Sequence, residues 1–414
     1  MISTAPAVVV GDNLNGLGVV RSLARGKDPT VLVGTTRRRA AMWSRHCRTV
    51  VVDKLHGRSL IDDLLKLRTT LDAEPVLILA DEMAVSTVSE HREELRGAYR
   101  FHLPSRDIVA KLTNKARFNE FAEQNDLCVP RTAVMRPDTP LATLSTIPFP
   151  VIIKLAERSL ASAGGTEQSH YVATLKEAET LCRRLLESTG ELIVQEWIGG
   201  PDNSNCFSLF HFGQKPENFK IFAGRKIASN PAMIGHTSLC IAAPEVMGSL
   251  EPLIAKFLDL TEFQGFGSLE FKWDPQQRRY VIIGVTAGRT NWQEEIATLS
   301  GVNLPLAAYR DEIGLPPIPS GEVIRTVAWR DTWLGGKISP VLPASMRVYD
   351  GYWRLSDPLP GLIHYTQAAF TTIHRQILKP IYESKKMKWL QRAVTEKLRL
   401  FAKPIFNKGN INAP

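Results

Sequence analysis

Lys115, Lys154, the small-residue stretch Ala161-Ser162-Ala163-Gly164-Gly165, the run Gln195-Glu196-Trp197-Ile198, Asp202, Arg225-Lys226 and Glu270 follow one another in an order that can serve a polyphosphate. Lysines act as point charges for phosphate oxygens, and the amides of a small-residue loop donate to the same oxygens. An apolar strand breaking into Gly199-Gly200-Pro201-Asp202 offers backbone to a base edge, with Asp202 or Asn203 facing ribose hydroxyls. Glu270, a lone carboxylate inside the apolar run GFGSLEFKW, can anchor magnesium, which takes one or two carboxylates plus phosphate oxygens and keeps its waters. Each residue also has a plainer reading: a solvated lysine at 115, an edge-guarding lysine at 154, ordinary core and rim at Glu196-Trp197, a solvent-facing Arg225, an exposed carboxylate at 270. The ordered set makes these readings weaker together than singly.

The surrounding pattern supplies elements to hold such a set. AVVV at 7–10, the turn GDNLNGLG and the helical VVRSLARG give strand, Gly-rich turn and helix. TVLVG at 30–34 and PVLILA at 75–80 add strands, so residues 1–105 read as a parallel, Rossmann-like α/β layer. Gly11, Gly16 and Gly18 make a degenerate dinucleotide fingerprint, but no acid closes the second strand at Val33-Gly34-Thr35. A structural layer is therefore expected, and a dinucleotide-dependent oxidoreductase is an alternative that leaves Glu270 and Lys154 without a role. From 106 to 320 helices alternate with antiparallel strands in an α+β pattern, with LKEAETLCRRLLES as an amphipathic helix. Residues 321–414 form a third segment.

Composition narrows the class. The chain has 414 residues, 44% hydrophobic and 22% charged, ample for two or three domains. Five scattered cysteines, without metal or redox spacing, read as reduced thiols. The formal charge of +9 is concentrated between Arg375 and Lys408, where ten Lys/Arg face two acids, so the body lacks the charge signature of a nucleic-acid binder. No apolar run approaches the ~20 residues of a membrane span, and the first residues lack a signal-peptide pattern. A cytoplasmic protein is expected. Met387, Leu390, Val394, Leu398 and Phe401 fall at helical spacing among basic residues, a pattern that suits the inner face of a membrane or an acidic partner. A terminal helix docked on its own domain is the plainer reading.

Over roughly residues 5–320 the order of elements resembles the ATP-grasp superfamily, nearest its D-aspartate ligase-like carboxylate–amine ligases. The resemblance implies a Rossmann-like layer followed by two α+β subdomains that clasp ATP. It implies Lys115 and Lys154 as phosphate lysines, and Ser162, Gly164 and Gly165 in a mobile phosphate lid. Gln195, Glu196, Trp197 and Ile198 become the adenine hinge, and Asp202 the ribose contact. Arg225 and Arg289 become phosphate or acyl-phosphate contacts, and Glu270 and Thr286 the Mg2+ side.

One position departs from that pattern. The family typically ends its second metal-bearing strand Glu-x-Asn-Pro-Arg, whereas this chain reads Gly284-Val285-Thr286-Ala287-Gly288-Arg289. Thr286 and Arg289 fit a subgroup variant, but Gly284 removes a carboxylate from the metal side. Asn291, Gln293, Glu294 and Glu295 are the replacements near in sequence. The expected function is ATP-dependent carboxylate–amine ligation of an amino acid or small carboxylate through an acyl phosphate. The alternative is a nucleotide-binding protein of the same fold with little or no turnover. His236 is a candidate substrate contact, with a structural histidine as its plainer reading.

Overall fold

The near-continuous apolar runs β1 (Ala7–Val10), β2 (Thr30–Gly34) and β4 (Val76–Leu79) are buried along their whole length, as a strand covered on both faces must be. With β3 (Arg48–Val51) they form a parallel sheet ordered β3-β2-β1-β4. In this computed structural model, residues 5–156, 169–317, 325–332 and 342–374 are described. The chain divides into two units, Met1–Gly361 and Leu362–Pro414; the described part of the second, 362–374, is helical.

The Gly-rich turn is packing chemistry. A Cβ at Gly16 would lie 1.8 Å from the Gly11 carbonyl oxygen, so only glycine lets the helix Leu14–Leu23 approach β1 this closely. Asn13 caps that helix through the Gly16 N–H at 3.1 Å. Asp12 accepts from the Thr35 N–H at 2.7 Å and its hydroxyl at 2.9 Å, tying the turn to the end of β2.

Two antiparallel sheets follow. The first holds β5 (Thr132–Met135), β6 (Val151–Leu155), β7 (Ser169–Val172) and β8 (Leu192–Glu196) in the order β5-β8-β6-β7. The amphipathic helix Leu175–Leu186 packs on it, started by a capping box between Thr174 and Glu177. The second sheet has seven strands, β9 (Asn205–Phe212), β10 (Lys220–Asn230), β11 (His236–Ala242), β12 (Gly265–Asp274), β13 (Arg279–Ala287), β14 (Val327–Arg330) and β15 (Arg347–Asp350). Their order is β13-β12-β9-β10-β11-β14-β15.

Period-2 alternation splits this sheet into two faces. Cys206, Phe210, Ala223, Leu269 and Phe271 pack with Leu250, Ile254 and Phe257 of the helix Met247–Thr261. Phe207, Leu209, Phe222, Cys240 and Trp329 pack on the opposite side with Leu17 and Val20 of the first helix and Tyr309 of the helix Leu304–Glu312. The parallel layer thus covers part of one face of the long sheet.

Residues beyond 320 return to this body. β14 and β15 extend the sheet past the 320/321 boundary, and Trp329 is 1% exposed with its indole N–H donated to Glu295 at 3.2 Å. Arg21 pairs with Asp357 at 3.0 Å in a buried contact and also donates to the carbonyls of Gly351 and Tyr352.

Candidate active site

Where the parallel layer stops covering the long sheet, the exposed part of that face looks across at the four-stranded sheet. The gap is a cavity of about 810 Å³. Its walls carry Lys115, Lys154, Gln195, Glu196, Trp197 and Ile198 on one side and Lys226, Glu270, Lys272, Gly284 and Thr286 on the other. Asn13, Asn15, Asp81 and Glu82 from the parallel layer close one end.

Lys154 sits on β6 and donates to Gln195 Oε1 on β8 at 3.0 Å, while Gln195 donates to the Thr132 hydroxyl at 3.1 Å. Burial pulls the Lys154 ammonium down to about 8; Lys115, Lys226 and Lys272 push the same way and Glu270 opposes them. Lys115 opens the helix Lys115–Gln124, which Asn114 caps, and its ammonium donates to the Leu155 carbonyl at 3.2 Å. The two lysines thus come from neighbouring elements that share the end of β6.

The run Gln195-Glu196-Trp197-Ile198 leaves β8 held by backbone: Glu196 N–H donates to the Arg131 carbonyl at 2.8 Å and Trp197 N–H to the Pro150 carbonyl at 3.0 Å. Trp197 lies between sheets, edge-on to Tyr171 with centroids 5.4 Å apart, and with the Lys272 ammonium 4.5 Å from its ring centre. Burial also lowers the Lys272 pKa, with Asp202 opposing and Lys226 adding to the shift.

On the facing wall, Glu270 pairs across β12–β13 with Gly284, and Thr286 pairs with Ser268 two residues away on the same face. Among the described residues Glu270 makes no hydrogen bond and no ion pair within 4 Å. An accessible carboxylate beside several lysines suits a magnesium ion that shares its ligands with phosphate. Arg289 reaches the cavity from the turn after β13, donating to Glu82 at 3.1 Å and to the Thr290 carbonyl at 2.9 Å. Asn15 fixes that turn, donating to the carbonyls of Ala80 and Thr290 and accepting from the Thr290 hydroxyl.

The cavity lining also carries polar atoms left over by the fold. Thr237 Oγ1, Asn205 Oδ1, Trp292 Nε1 and Gln293 Nε2 are buried without a hydrogen-bond partner among the described residues. Their side chains all line the cavity. Buried polar groups are nearly always satisfied, so these atoms are open to a polar ligand in the cavity. His236 also lines the cavity, 3.2 Å from Asp331 through Nε2 and edge-on to Trp292 at 5.4 Å.

No protein-family model matches the chain. Among solved structures, N5-carboxyaminoimidazole ribonucleotide synthetase in complex with ADP superimposes with a TM-score of 0.62 at 13% identity, over 79% of this chain and 81% of that one. L-amino acid ligase from Bacillus licheniformis gives a TM-score of 0.59 at 15% identity, over 79% and 80%. The chain has the ATP-grasp fold. The curated D-aspartate ligase of Enterococcus faecium (strain Aus0004) is 23% identical to it over 326 residues, 74% of this chain and 76% of that protein.

Within this ATP-grasp frame most of the residues picked from sequence converge on one cavity, and two do not. Arg225 lies on the opposite face of β10, where it donates to Glu245 at 2.9 Å and to the Asn203 carbonyl at 3.1 Å. Its neighbour Lys226 faces the cavity instead, because adjacent strand residues point to opposite faces. Asp202 is absent from the cavity wall. Its two oxygens accept from the Ser229 N–H and hydroxyl at 2.8 and 2.9 Å and from the Met233 N–H at 3.1 Å, so it buckles the 229–233 turn. Ser162, Gly164 and Gly165 lie outside the described residues.

Lys272 is not among the residues the sequence singles out, and Lys226 enters there only beside Arg225, without a role of its own. The signal for Lys272 is its position two residues beyond Glu270 in one strand, hence on the same face. For Lys226 no sequence signal separates it from Arg225, because the β10–β11 register shifts between Lys226 and Ser229.

Proposed function

We propose that the protein is an ATP-dependent carboxylate–amine ligase working through an acyl phosphate. One observation carries this reading: Lys115, Lys154 and the hinge strand form one wall of the cavity that has Glu270 on the other. The similarity to D-aspartate ligase supports it. Glu196 to Ile198 frame the adenine, Lys115 and Lys154 hold phosphate oxygens, and Glu270 with Thr286 holds Mg2+. The bound cation shields the phosphate charge when present.

The substrate carboxylate oxygen attacks the γ-phosphorus, the bond to the β-γ bridging oxygen breaks, and ADP leaves. An amine then attacks the acyl carbon, loses a proton, and inorganic phosphate departs. Lys154, Lys226 and Arg289 stabilise the charge that builds on the transferring group. Arg225 is replaced by Lys226 in this role, and Asp202 positions a turn rather than touching ribose. The unpartnered atoms of Thr237, Trp292 and Gln293 provide hydrogen bonds for the acid or amine substrate.

ADP release with Mg2+, assayed against pooled amino acids and short carboxylic acids with K154A as blank, tests the reading. Nucleotide binding with no ADP release under any substrate pair would instead favour the non-catalytic reading raised by Gly284. The relatives reported are all named ligases or synthetases and lend that alternative no support.

We also propose a cytoplasmic setting, with residues 375–408 touching an anionic membrane surface. That segment lies outside the described residues. Its composition supports the contact, as does the exposure of Leu362, Phe370 and Ile373 in the second unit. No helix among the described residues is long and apolar enough to cross a membrane. Liposome flotation of the full chain and a form ending at 370 decides the matter: equal recovery of both in the soluble fraction removes the contact.

A further inference from the structure

We propose that this site takes one divalent cation, and that the ammonium groups of Lys226 and Lys272 supply the charge that a second would bring. The inference rests on the nucleotide reading above and concerns what meets the phosphates on the long sheet.

On that wall Glu270 is the one carboxylate among the described cavity residues of the sheet. At the position facing it, Gly284, a Cβ would stand 3.5 Å from Glu270 Oε2, an ordinary contact, so glycine is not forced there by crowding. The acids near in sequence do not stand in. Glu295 is spent on Arg354 at 2.9 Å, the Trp329 indole at 3.2 Å and Arg21 at 4.0 Å. Glu294 is 2% exposed and is not on the cavity wall. Asn291 donates to Ser268 at 2.8 Å and accepts from the Trp292 N–H. At the far end, Glu82 is taken by Arg289 and Asp81 caps the helix Glu82–Glu90.

The same face carries two buried cations instead. Lys272 follows Glu270 by two residues on β12. Gly224 of β10 stands in the Glu270 row through Phe207, so Lys226 is two residues along the same face. Lys226 and Lys272 are 7% and 4% exposed, and neither has a carboxylate within 4 Å among the described residues. Lys226 reaches only the Gly235 carbonyl, at 3.4 Å. Ammonium groups held out of water without a counter-ion are costly, and a polyphosphate relieves them. One carboxylate and two ammonium groups on this wall give a local charge that works against a second cation.

The test counts metal directly. Full-length protein is loaded with one equivalent of a non-hydrolysable ATP analogue, and bound Mn2+ is read from loss of the free-ion EPR signal. Wild type is expected to retain one Mn2+ per chain, and G284E two. Two in wild type, or one in G284E, overturns the proposal. In a second arm, EDTA weakens analogue binding to wild type by less than about tenfold, but by more than about a hundredfold in K226M/K272M, as expected when the lysines stand in for a cation. Equal sensitivity of the two proteins overturns the lysine assignment. Absence of analogue binding with and without Mn2+ is a different result, since it removes the nucleotide reading itself.

Discussion

Lys154 on β6 and Gln195 on β8 are joined side chain to side chain at 3.0 Å across an antiparallel pair. The contact holds an ammonium group where burial and three other lysines lower its pKa from the ordinary 10.5 to about 8. A folded-state value below the unfolded one means that the charged form burdens the fold. That burden is fully present below pH 8 and is relieved as pH rises from about 8 towards 10.5. Triphosphate needs the charged form, so nucleotide affinity is expected to hold up to about pH 8 and then fall by up to about tenfold per pH unit. Calorimetry in buffers of different ionisation enthalpy, showing proton uptake on binding near pH 8–9, checks this. Lys154→Met should lose nucleotide affinity by about a hundredfold yet raise unfolding stability at pH 7 by up to about 3 kcal/mol. A fall in both would remove the strained-lysine account.

Arg225 and Lys226 are adjacent in sequence and opposite in consequence. Lys226→Met is expected to lower kcat/KM by about 10²-fold through loss of phosphate charge. Arg225→Met breaks a partly exposed pair with Glu245 and an exposed hydrogen bond to the Asn203 carbonyl, and should cost about 1 kcal/mol of stability and leave kcat/KM within about threefold. Steady-state kinetics with parallel thermal melts distinguish the two; the reverse ranking would place Arg225 in the site after all.

What the sequence made legible follows from where the signals are local. Lys154, Gln195-Glu196 and Glu270 sit in apolar strands, where a polar residue stands out in the local pattern. The choice between Arg225 and Lys226 depends on strand parity, which a bulge between Lys226 and Ala228 hides. Asp202 looked like a ligand because it follows a Gly-Gly-Pro turn. Its real partners, Ser229 and Met233, are 27 and 31 residues away and carry no sequence mark. The return of β14 and β15 to the long sheet was hidden for the same reason: pairing at long range is set by shape and burial, not by local pattern.

Asp202 organises the turn that borders Lys226 and His236. Asp202→Ala removes three hydrogen bonds, two of them to backbone N–H groups, and frees the 229–233 segment. Stability should fall by about 1–3 kcal/mol. The apparent nucleotide KM should rise about tenfold, because the wall carrying Lys226 is no longer held in place. Asp202→Asn, which keeps an acceptor, should recover part of both. An Asp202→Ala protein with unchanged stability and a selective loss of ribose discrimination (ATP against the 2′-deoxy form) would restore the direct ribose contact.

Buried charge helps to anchor the segment 351–357, beside the packing of Tyr352 on the core. Asp357, 1% exposed, accepts from Arg21 Nε at 3.0 Å, the Ser44 hydroxyl at 2.9 Å and the Arg45 N–H at 3.0 Å. Asp357→Ala leaves the buried Arg21 guanidinium with Glu295, at 4.0 Å, as its remaining counter-charge, and should cost about 3 kcal/mol, the lower end of what breaking a buried pair costs. The double variant R21M/D357L removes both charges and should recover most of that loss, since an apolar pair of similar volume serves a buried position nearly as well. Chemical denaturation of wild type, D357A and R21M/D357L reads the three states. If D357A melts with wild type, the 351–357 segment is not fixed through Arg21, and its hold rests on the Arg354–Glu295 pair and the packing of Tyr352 on the core.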